Sequence, residues 1–566
     1  MSEFETFMQA RQVMLDHKND WAAASAKFQW PELKYFNWAT DYFDTIAKGN
    51  SAPALRILEE DGTAAGLTYA ELSARSSQVA NFLKDLGARP GDRMMLMLGN
   101  EVPLWETMMA AIKMGVVVIP ATTLLSGADL QDRIVRGNIK WLMTNASGMA
   151  KVQEISASDL PPLTCILADS KVELPKGWVD YRASHESSAD FTAPQLSVEE
   201  PLLEYFTSGT TAAPKLVRHT RQSYPVGHLS TLYWLGLQPN DVHWTISSPG
   251  WAKHAWSCFF APLNAQACVF IYNYARFDAK AVLDVLVDNQ VTTLCAPPTV
   301  WRFLIQADIK QWSVRLRELI SAGEPLNPEV IEQVRNGWGL TIRDGYGQTE
   351  TTAMISNSPG QALIPGSMGR PLPGYPIVLI DADGQPSDEG EICIDLSKRP
   401  LSLMEGYADD AEKTAQVMRD GYYHTGDVGS RDEQGYITYV GRADDVFKAS
   451  GYRISPFELE SALIEHPAVA EAAVVPSPDS LRGFVPKAFV ILAPGYEASV
   501  ATAADILADL KQRVSPYKMV RRLAFSDLPK TISGKIRRVD LRKQEALRTD
   551  AGPAEGVEYT DELLKG

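Results

Sequence analysis

The sequence predicts an α/β protein in two parts. A large N-terminal domain of α/β sheet subdomains plus a small β-rich subdomain is followed by a small α+β C-terminal domain. Three observations predict this. Over residues 65–125 helical apolar spacing alternates with short, wholly apolar stretches, the rhythm of helices packed over buried parallel strands. From about residue 373 the texture turns to short strands and tight turns. After Arg442 it changes again, so the boundary falls between 442 and 443. The expected division is 1–442, with the β-rich part at about 373–442, and 443–566.

Each element follows from local signals. Residues 67–86 carry helical spacing opened by Thr68, and ARPGD (88–92) turns the chain into the strand-like RMMLML. LWETMMAAIKMG is a helix closed by Gly115, and VVVIP (116–120) is a buried strand. LLEYF and VTTLCAP read as strands, KAVLDVLVDNQ and LNPEVIEQVRNGWG as helices. PIVLIDADGQP, GEICI and QGYITYVGR are the strands of the β-rich part. SPFELESALIEH is a helix capped by Ser455 with Pro456 in its first turn. AVAEAAVVP and KAFVILAP are strands, and ATAADILADLKQRV is a helix. The tail after Asp550 is expected to be loosely ordered.

At 566 residues the chain has material for three to four folding units at about 150 residues each. Hydrophobic residues at 45% and charged residues at 22% exclude a disordered, collagenous or disulfide-scaffold protein. A net charge of −16 argues against nucleic acid and anionic membranes as partners. Residues 511–543 depart from this, with a local excess of nine positive charges. That excess suits a small polyanion such as a nucleotide, or equally a solvated helix face. Five scattered cysteines match no metal or redox spacing and read as buried residues of a reducing compartment. The N-terminus lacks an apolar signal core, and the longest apolar run is far short of the roughly 20 residues of a membrane span. The expectation is a soluble, cytoplasmic protein without a membrane span.

Five segments carry candidate chemistry. TSGTTAAPK (207–215) has small hydroxyl residues and a glycine that let backbone N–H groups approach phosphate oxygens, and Lys215 adds a charge. It is not a Walker A loop, and a flexible turn has the same composition. In DGYGQTE (344–350) two glycines permit close approach to a flat ligand. Tyr346 offers a stacking face and Glu350 a hard oxygen for Mg²⁺, against the plainer reading of a turn with a capping acid. The carboxylate of TGD (425–427) can accept both hydroxyls of a ribose. GRADD (441–445) sits on the predicted boundary and leads to SGYR (450–453). PKTISGK (529–535) puts a lysine after a glycine turn, where a solvated charge is the alternative.

Together and in this order, with SAGEP (321–325), these motifs resemble the adenylate-forming superfamily of acyl-CoA synthetases, luciferases and peptide-synthetase adenylation domains. The flavour is that of AMP-forming synthetases of the medium-chain type. The resemblance covers about Leu67 to Arg542. It implies ATP-driven activation of a carboxylate to an acyl-adenylate, with release of pyrophosphate, then attack by a thiol with release of AMP. ATP, Mg²⁺ and CoA are the implied cofactor and co-substrates, and a small-molecule carboxylic acid the partner. A homo-oligomer stays open.

By position, the resemblance gives phosphate binding to Thr207, Ser208, Gly209, Thr210, Thr211 and Lys215. It gives the adenine side to Gly323, Glu324 and Pro325 and to Asp344, Gly345, Tyr346, Gly347, Gln348 and Thr349. Glu350 would hold Mg²⁺, Asp427 the ribose, and Arg442 the ribose and phosphate side with Arg453 nearby. Lys535 would bridge the carboxylate and the α-phosphate. Asp444 matches the hinge about which the C-terminal domain turns between half-reactions. Ser450, Gly451 and Tyr452 would border the pantetheine path, with Arg482 and Lys511 on CoA phosphates. Trp251 falls on the acyl pocket. His254 nearby is either a partner for a polar acyl group or a satisfied core histidine. Gly347, where acetate-specific relatives carry Trp, implies an acid larger than acetate: short or medium chain, branched or aryl. One departure is Ala212 in place of the usual Gly, which bears on ATP affinity. Two other readings stay open: an adenylation enzyme that loads a carrier protein, and a nucleotide-binding homologue without catalysis.

Overall fold

The computed structural model describes residues 2–168, 171–207, 214–323, 326, 328–364, 366–449, 452–479, 482–531, 536–548 and 557–560, with the backbone alone at 452–453.

The helix Tyr69–Leu86 starts where expected because Thr68 and Glu71 satisfy each other's backbone N–H groups, and it stops at Gly87 in the left-handed region. The helix Val102–Met114 ends the same way at Gly115. Between and after them the apolar runs become the parallel strands Arg93–Met97 and Val117–Pro120. These belong to an eight-stranded sheet whose other end is an antiparallel hairpin, Pro201–Thr207 with Lys215–Thr220, followed by the edge strand Gly406–Tyr407. The hairpin's turn lies outside the described residues.

A second, longer sheet has a parallel centre: Val242–Thr245, Cys268–Asn273, Thr293–Ala296, Glu318–Ser321 and Ile342–Gln348. The strand Pro53–Glu59 joins this centre parallel to Cys268–Asn273. Beyond Ile342–Gln348 pairing turns antiparallel, through Thr352–Ser356 and Ser367–Pro371, into the β-rich strands. The β-rich part is thus hydrogen-bonded into the large sheet along one continuous path, which ends through Ile437–Arg442, Tyr422–Arg431, Glu389–Asp395 and Ile377–Ile380.

The N-terminal 50 residues, silent in sequence, complete the main core. Phe7, Trp38, Tyr42 and Phe43 are fully buried there, and Arg11 is anchored on the Asn264 and Ala265 carbonyls. Burying each large ring contributes about 1.5–3 kcal/mol.

The C-terminal part is a four-stranded sheet with its own core of Leu459, Leu463, Val474, Ile506 and Leu510. Ser455 caps the helix Pro456–Ile464, as its position before Pro456 suggested. The expected loose tail is corrected at one place. Glu558–Thr560 form the sheet's fourth strand, because Glu558 finds the buried Lys487 ammonium at 2.8 Å and Arg548 at 2.8 Å. Residues 549–556 and 561–566 lie outside the described residues.

Among the described residues of the basic stretch, Arg513, Lys518, Arg522, Lys530, Arg538 and Arg542 pair with acids outside it, in the C-terminal part or in GRADD, and Arg537 pairs with Asp540 within it. Part of its charge is therefore offset in three dimensions by acids distant in sequence.

Candidate active site

The hairpin Pro201–Thr207/Lys215–Thr220 brings Thr207 opposite Lys215 in register, at the root of the predicted phosphate loop. Lys215 Nζ lies 5.1 Å over the Tyr407 ring. Burial lowers the Lys215 pKa, with the Glu350 carboxylate opposing that shift. Tyr407 donates its hydroxyl to Glu350 Oε1 at 3.0 Å, and the Met404 N–H donates to the Glu350 carbonyl. The preceding carbonyl, of Thr349, accepts the Tyr224 hydroxyl at 3.2 Å and lies 2.7 Å from His219 Nε2. Thr207, Lys215 and Glu350 therefore converge from two sheets.

Asp427 is the centre of the next cluster. Its carboxylate is buried and accepts the Tyr346 hydroxyl at 2.5 Å, the Gln348 amide at 2.6 Å and the Tyr439 hydroxyl at 3.3 Å. Arg442, directly opposite Asp427 in the sheet, donates to it at 3.4 Å and lies 3.4 Å from Asp444. Desolvation and the Asp427 charge hold the Tyr346 phenol well above its usual pKa, so it stays a neutral donor. Behind them Glu391 accepts the Gly426 N–H at 2.8 Å and holds His424 at 2.8 Å, fixing the turn that aims Asp427.

The glycines of DGYGQTE are required by packing within the fold. A Cβ on Gly345 would lie 2.3 Å from the Trp234 indole, and one on Gly347 would lie 2.0 Å from the Thr352 carbonyl oxygen. Glycine at 347 is therefore required by the bulged hairpin itself, whatever the pocket's size. The segment after Glu350 carries strain: Thr352, β-branched and buried, holds φ at +62°. Such a conformation costs on the order of 1–3 kcal/mol. It persists because the Thr352 hydroxyl lies 2.7 Å from the Tyr375 hydroxyl and 3.2 Å from Ser230 Oγ, while Tyr375 donates to the Thr351 carbonyl at 2.5 Å.

Asp344 ends the parallel stretch beside Ser321, and burial raises its carboxyl pKa to about 7. Gly323 follows in the adjoining turn. Trp251 sits in the wall of a small enclosed cavity with Leu104, Met108, Tyr205, His254 and Phe259. The cavity measures about 20 Å³ as space open to the centre of a water molecule. His254 is buried and its Nε2 lies 3.0 Å from the Asn100 side-chain oxygen. Burial depresses its pKa to about 3, so the ring is neutral.

Ser208, Gly209, Thr210, Thr211, Ala212, Glu324, Pro325, Ser450, Gly451 and Lys535 lie outside the described residues, as do the Tyr452 and Arg453 side chains. Arg482, in the turn before the strand Gly483–Leu492, and Lys511, in the last turn of the helix Val500–Arg513, are exposed on separate elements. At the predicted hinge, Asp445 is clasped by Arg542 and Arg538, and Ser455 Oγ donates to the Val440 carbonyl. Sequence reasoning missed His219, Tyr224, Tyr375, Glu391 and Tyr407. Only the GEICI strand assignment touched one of them, because their partners in the site are 23 to 130 residues away.

A hairpin rooted at Thr207 and Lys215, a buried carboxylate ringed by phenols, and an acid near a lysine fit the class of ATP-using enzymes that activate acids. The comparisons give the particular family. Residues 43–408 match the AMP-binding enzyme family and residues 458–535 the AMP-binding enzyme C-terminal domain. The chain belongs to this family, among the AMP-forming acid–thiol ligases known as acyl-CoA synthetases. It is 42% identical to 4-hydroxybutyrate–CoA ligase 1 of Metallosphaera sedula, covering 93% of this chain and 94% of that one. It is 38% identical to mouse acyl-coenzyme A synthetase ACSM3, mitochondrial, covering 92% of each. Its fold superposes on the anthranilate CoA ligase AuaEII in complex with anthranoyl-AMP with a TM-score of 0.82, at 26% identity, covering 92% of this chain and 99% of that one.

Proposed function

We propose that the chain activates a short carboxylic acid larger than acetate, with the ATP and acyl sites in residues 1–442 and the catalytic lysine in a mobile domain at 443–566. The observation that carries this reading is the proximity of Lys215 to Glu350 and Arg442, with Arg442 donating to Asp427. A carboxylate is repelled by the triphosphate, so cations and donors must offset charge while reactants are aligned. The acid needs no general base, since it is ionised at neutral pH.

Thr207 and the loop to Lys215 hold the phosphates, and Asp427, backed by Tyr346 and Gln348, takes the ribose hydroxyls. Asp344 and its neighbours flank the adenine. Glu350 fits a Mg²⁺ role: Tyr407 donates to one carboxylate oxygen, and the other is a hard oxygen ligand of the kind Mg²⁺ takes. Mg²⁺ bound there would offset phosphate charge. Lys535 bridges the acid and the α-phosphate, and rotation about Asp444 then brings Ser450–Tyr452, Arg482 and Lys511 to CoA.

The acyl chain enters the cavity walled by Trp251. Its volume, about one water molecule's worth, means that side chains such as Trp251 must swing aside to admit any acid larger than acetate. The Metallosphaera relative is named for a four-carbon hydroxy acid, which would need that opening. Among the described residues no helix is long and apolar enough to cross a membrane, and five buried free cysteines suit a reducing compartment such as the cytoplasm.

The test is pyrophosphate and AMP release with ATP and Mg²⁺ over acetate, butyrate, isobutyrate, hexanoate, octanoate and benzoate, with and without CoA. CoA-dependent turnover that peaks beyond acetate is the expected result. A peak at acetate would refute the size reading, and turnover indifferent to CoA would refute CoA as acceptor.

A further inference from the structure

The cavity beside Trp251 is apolar along most of its wall, with Leu104, Trp105, Met108 and Phe259 contributing. Two wall residues are polar. His254 is neutral and already engaged with Asn100. Tyr205 is different: it is 2% exposed, and its hydroxyl is buried without a hydrogen-bond partner. Burial alone pushes the Tyr205 phenol far above its usual pKa, so it is a neutral donor at every working pH. The neighbouring Tyr224, with ring centroids 5.7 Å apart, has turned its hydroxyl to the Thr349 carbonyl and accepts the Trp256 N–H, leaving Tyr205 unserved.

An orphaned hydroxyl costs about 1–3 kcal/mol, and phenylalanine would fill the same place without that cost. Tyr205 sits two residues before Thr207, on the strand that carries the phosphate loop. Its ring is therefore fixed relative to the end of that strand, so a partner for its hydroxyl would have to sit at one set place in the cavity.

We propose that Tyr205 is a specificity-determining residue whose hydroxyl binds a polar group, a hydroxyl or carbonyl oxygen, at the far end of a short acyl chain, so that the substrate class is short acids with an oxygen at that end. This rests on the acid–CoA ligase reading above. A pocket lined only by hydrocarbon rejects an added hydroxyl weakly, whereas a site built to bond one rejects the analogue that lacks it.

The test compares kcat/KM for 4-hydroxybutyrate with that for pentanoate, its near-isostere with a methyl in place of the hydroxyl, by CoA-dependent AMP release. The wild-type protein is expected to prefer 4-hydroxybutyrate several-fold, and Tyr205→Phe to lower that ratio at least fivefold. A wild-type preference for pentanoate overturns the proposal without any variant, so misfolding of Tyr205→Phe cannot protect it. A ratio that Tyr205→Phe leaves unmoved also overturns it, and means that the hydroxyl bonds an internal water instead. Failure of the underlying ligase reading is separate: no acid of either kind would then drive CoA-dependent AMP release.

Discussion

The Tyr346 hydroxyl meets Asp427 Oδ2 at 2.5 Å, joining the last parallel strand of the large sheet to the β-rich strands that continue it. This bond, with Gln348 on the same oxygen, holds a buried carboxylate in one orientation before any ligand arrives. A group so held loses little freedom on binding.

Replacing Tyr346 with Phe removes one of Asp427's donors and keeps the ring. A hydrogen bond to a charged group contributes about 1.5–3 kcal/mol. The expected outcome is a KM for ATP raised at least tenfold, with a smaller change in kcat, read from pyrophosphate release at varied ATP. An unchanged KM would mean that Gln348 and Tyr439 orient Asp427 unaided.

Tyr375 supports the strained Thr352, and its hydroxyl also lies 2.6 Å from Ser402 Oγ. Tyr375→Phe strands three buried polar groups and should destabilise the fold by about 1–3 kcal/mol. It should also weaken activity through the displaced Glu350 loop. Urea unfolding and pyrophosphate release check the two effects. Full stability would show that Ser230 alone holds Thr352.

Lys535→Ala is expected to slow adenylation by roughly two to three powers of ten while leaving the melting temperature and thioester formation from preformed acyl-adenylate intact. Normal adenylation by this variant would remove Lys535 from the reaction.

The hinge gives a kinetic prediction. Asp444 lies beside Arg442, while Arg538 and Arg542 hold Asp445 from the C-terminal part. Fixing φ by Asp444→Pro should slow one half-reaction much more than the other. Equal slowing of adenylate formation and thioester formation, measured separately, would indicate general damage instead.

Acid should destabilise the protein. Burial depresses His243 to about 4, His219 and His254 to about 3 and His228 well below its usual value. In the unfolded chain these titrate near 6.5. Below pH 6.5 the unfolded state therefore binds more protons, and stability falls as pH falls toward the native values. Asp344, raised to about 7, acts in the opposite sense between about pH 7 and 4, since its native form takes up the proton first. Four histidines against one aspartate leave a net loss of about 3–4 kcal/mol per pH unit near pH 5.5. Urea unfolding at pH 7 and 5.5 measures it, and equal stability at both would contradict neutral burial.

Much of the outline was legible because its causes are local. Thr68 and Ser455 as caps, Gly115 as a helix stop, and the apolar runs 93–98 and 116–120 are decided by nearest neighbours. TSGTTAAPK, DGYGQTE and TGD were legible for the same reason: each puts its chemistry into a few consecutive residues. The packing role of Gly347 was not legible, because a missing side chain looks alike whether it makes room for a ligand or for the Thr352 carbonyl. The ion pairs of the basic stretch were not legible because the acids they use, such as Glu460 for Arg538 and Glu471 for Lys530, lie 59 to 78 residues away.

By itself, then, the sequence determined the α/β class, the helix and strand limits and the identity of the chemical groups, all of which follow from short-range sterics, capping and hydrophobic period. Only the tertiary structure decided that Pro53–Glu59 lies against Cys268–Asn273, that Tyr407 and Lys215 meet at Glu350, that Thr352 is held in a strained turn and that Tyr205 keeps an unserved hydroxyl beside Trp251. Those relationships depend on which distant surfaces exclude water together. That is a property of the packed chain as a whole, and no local pattern encodes it.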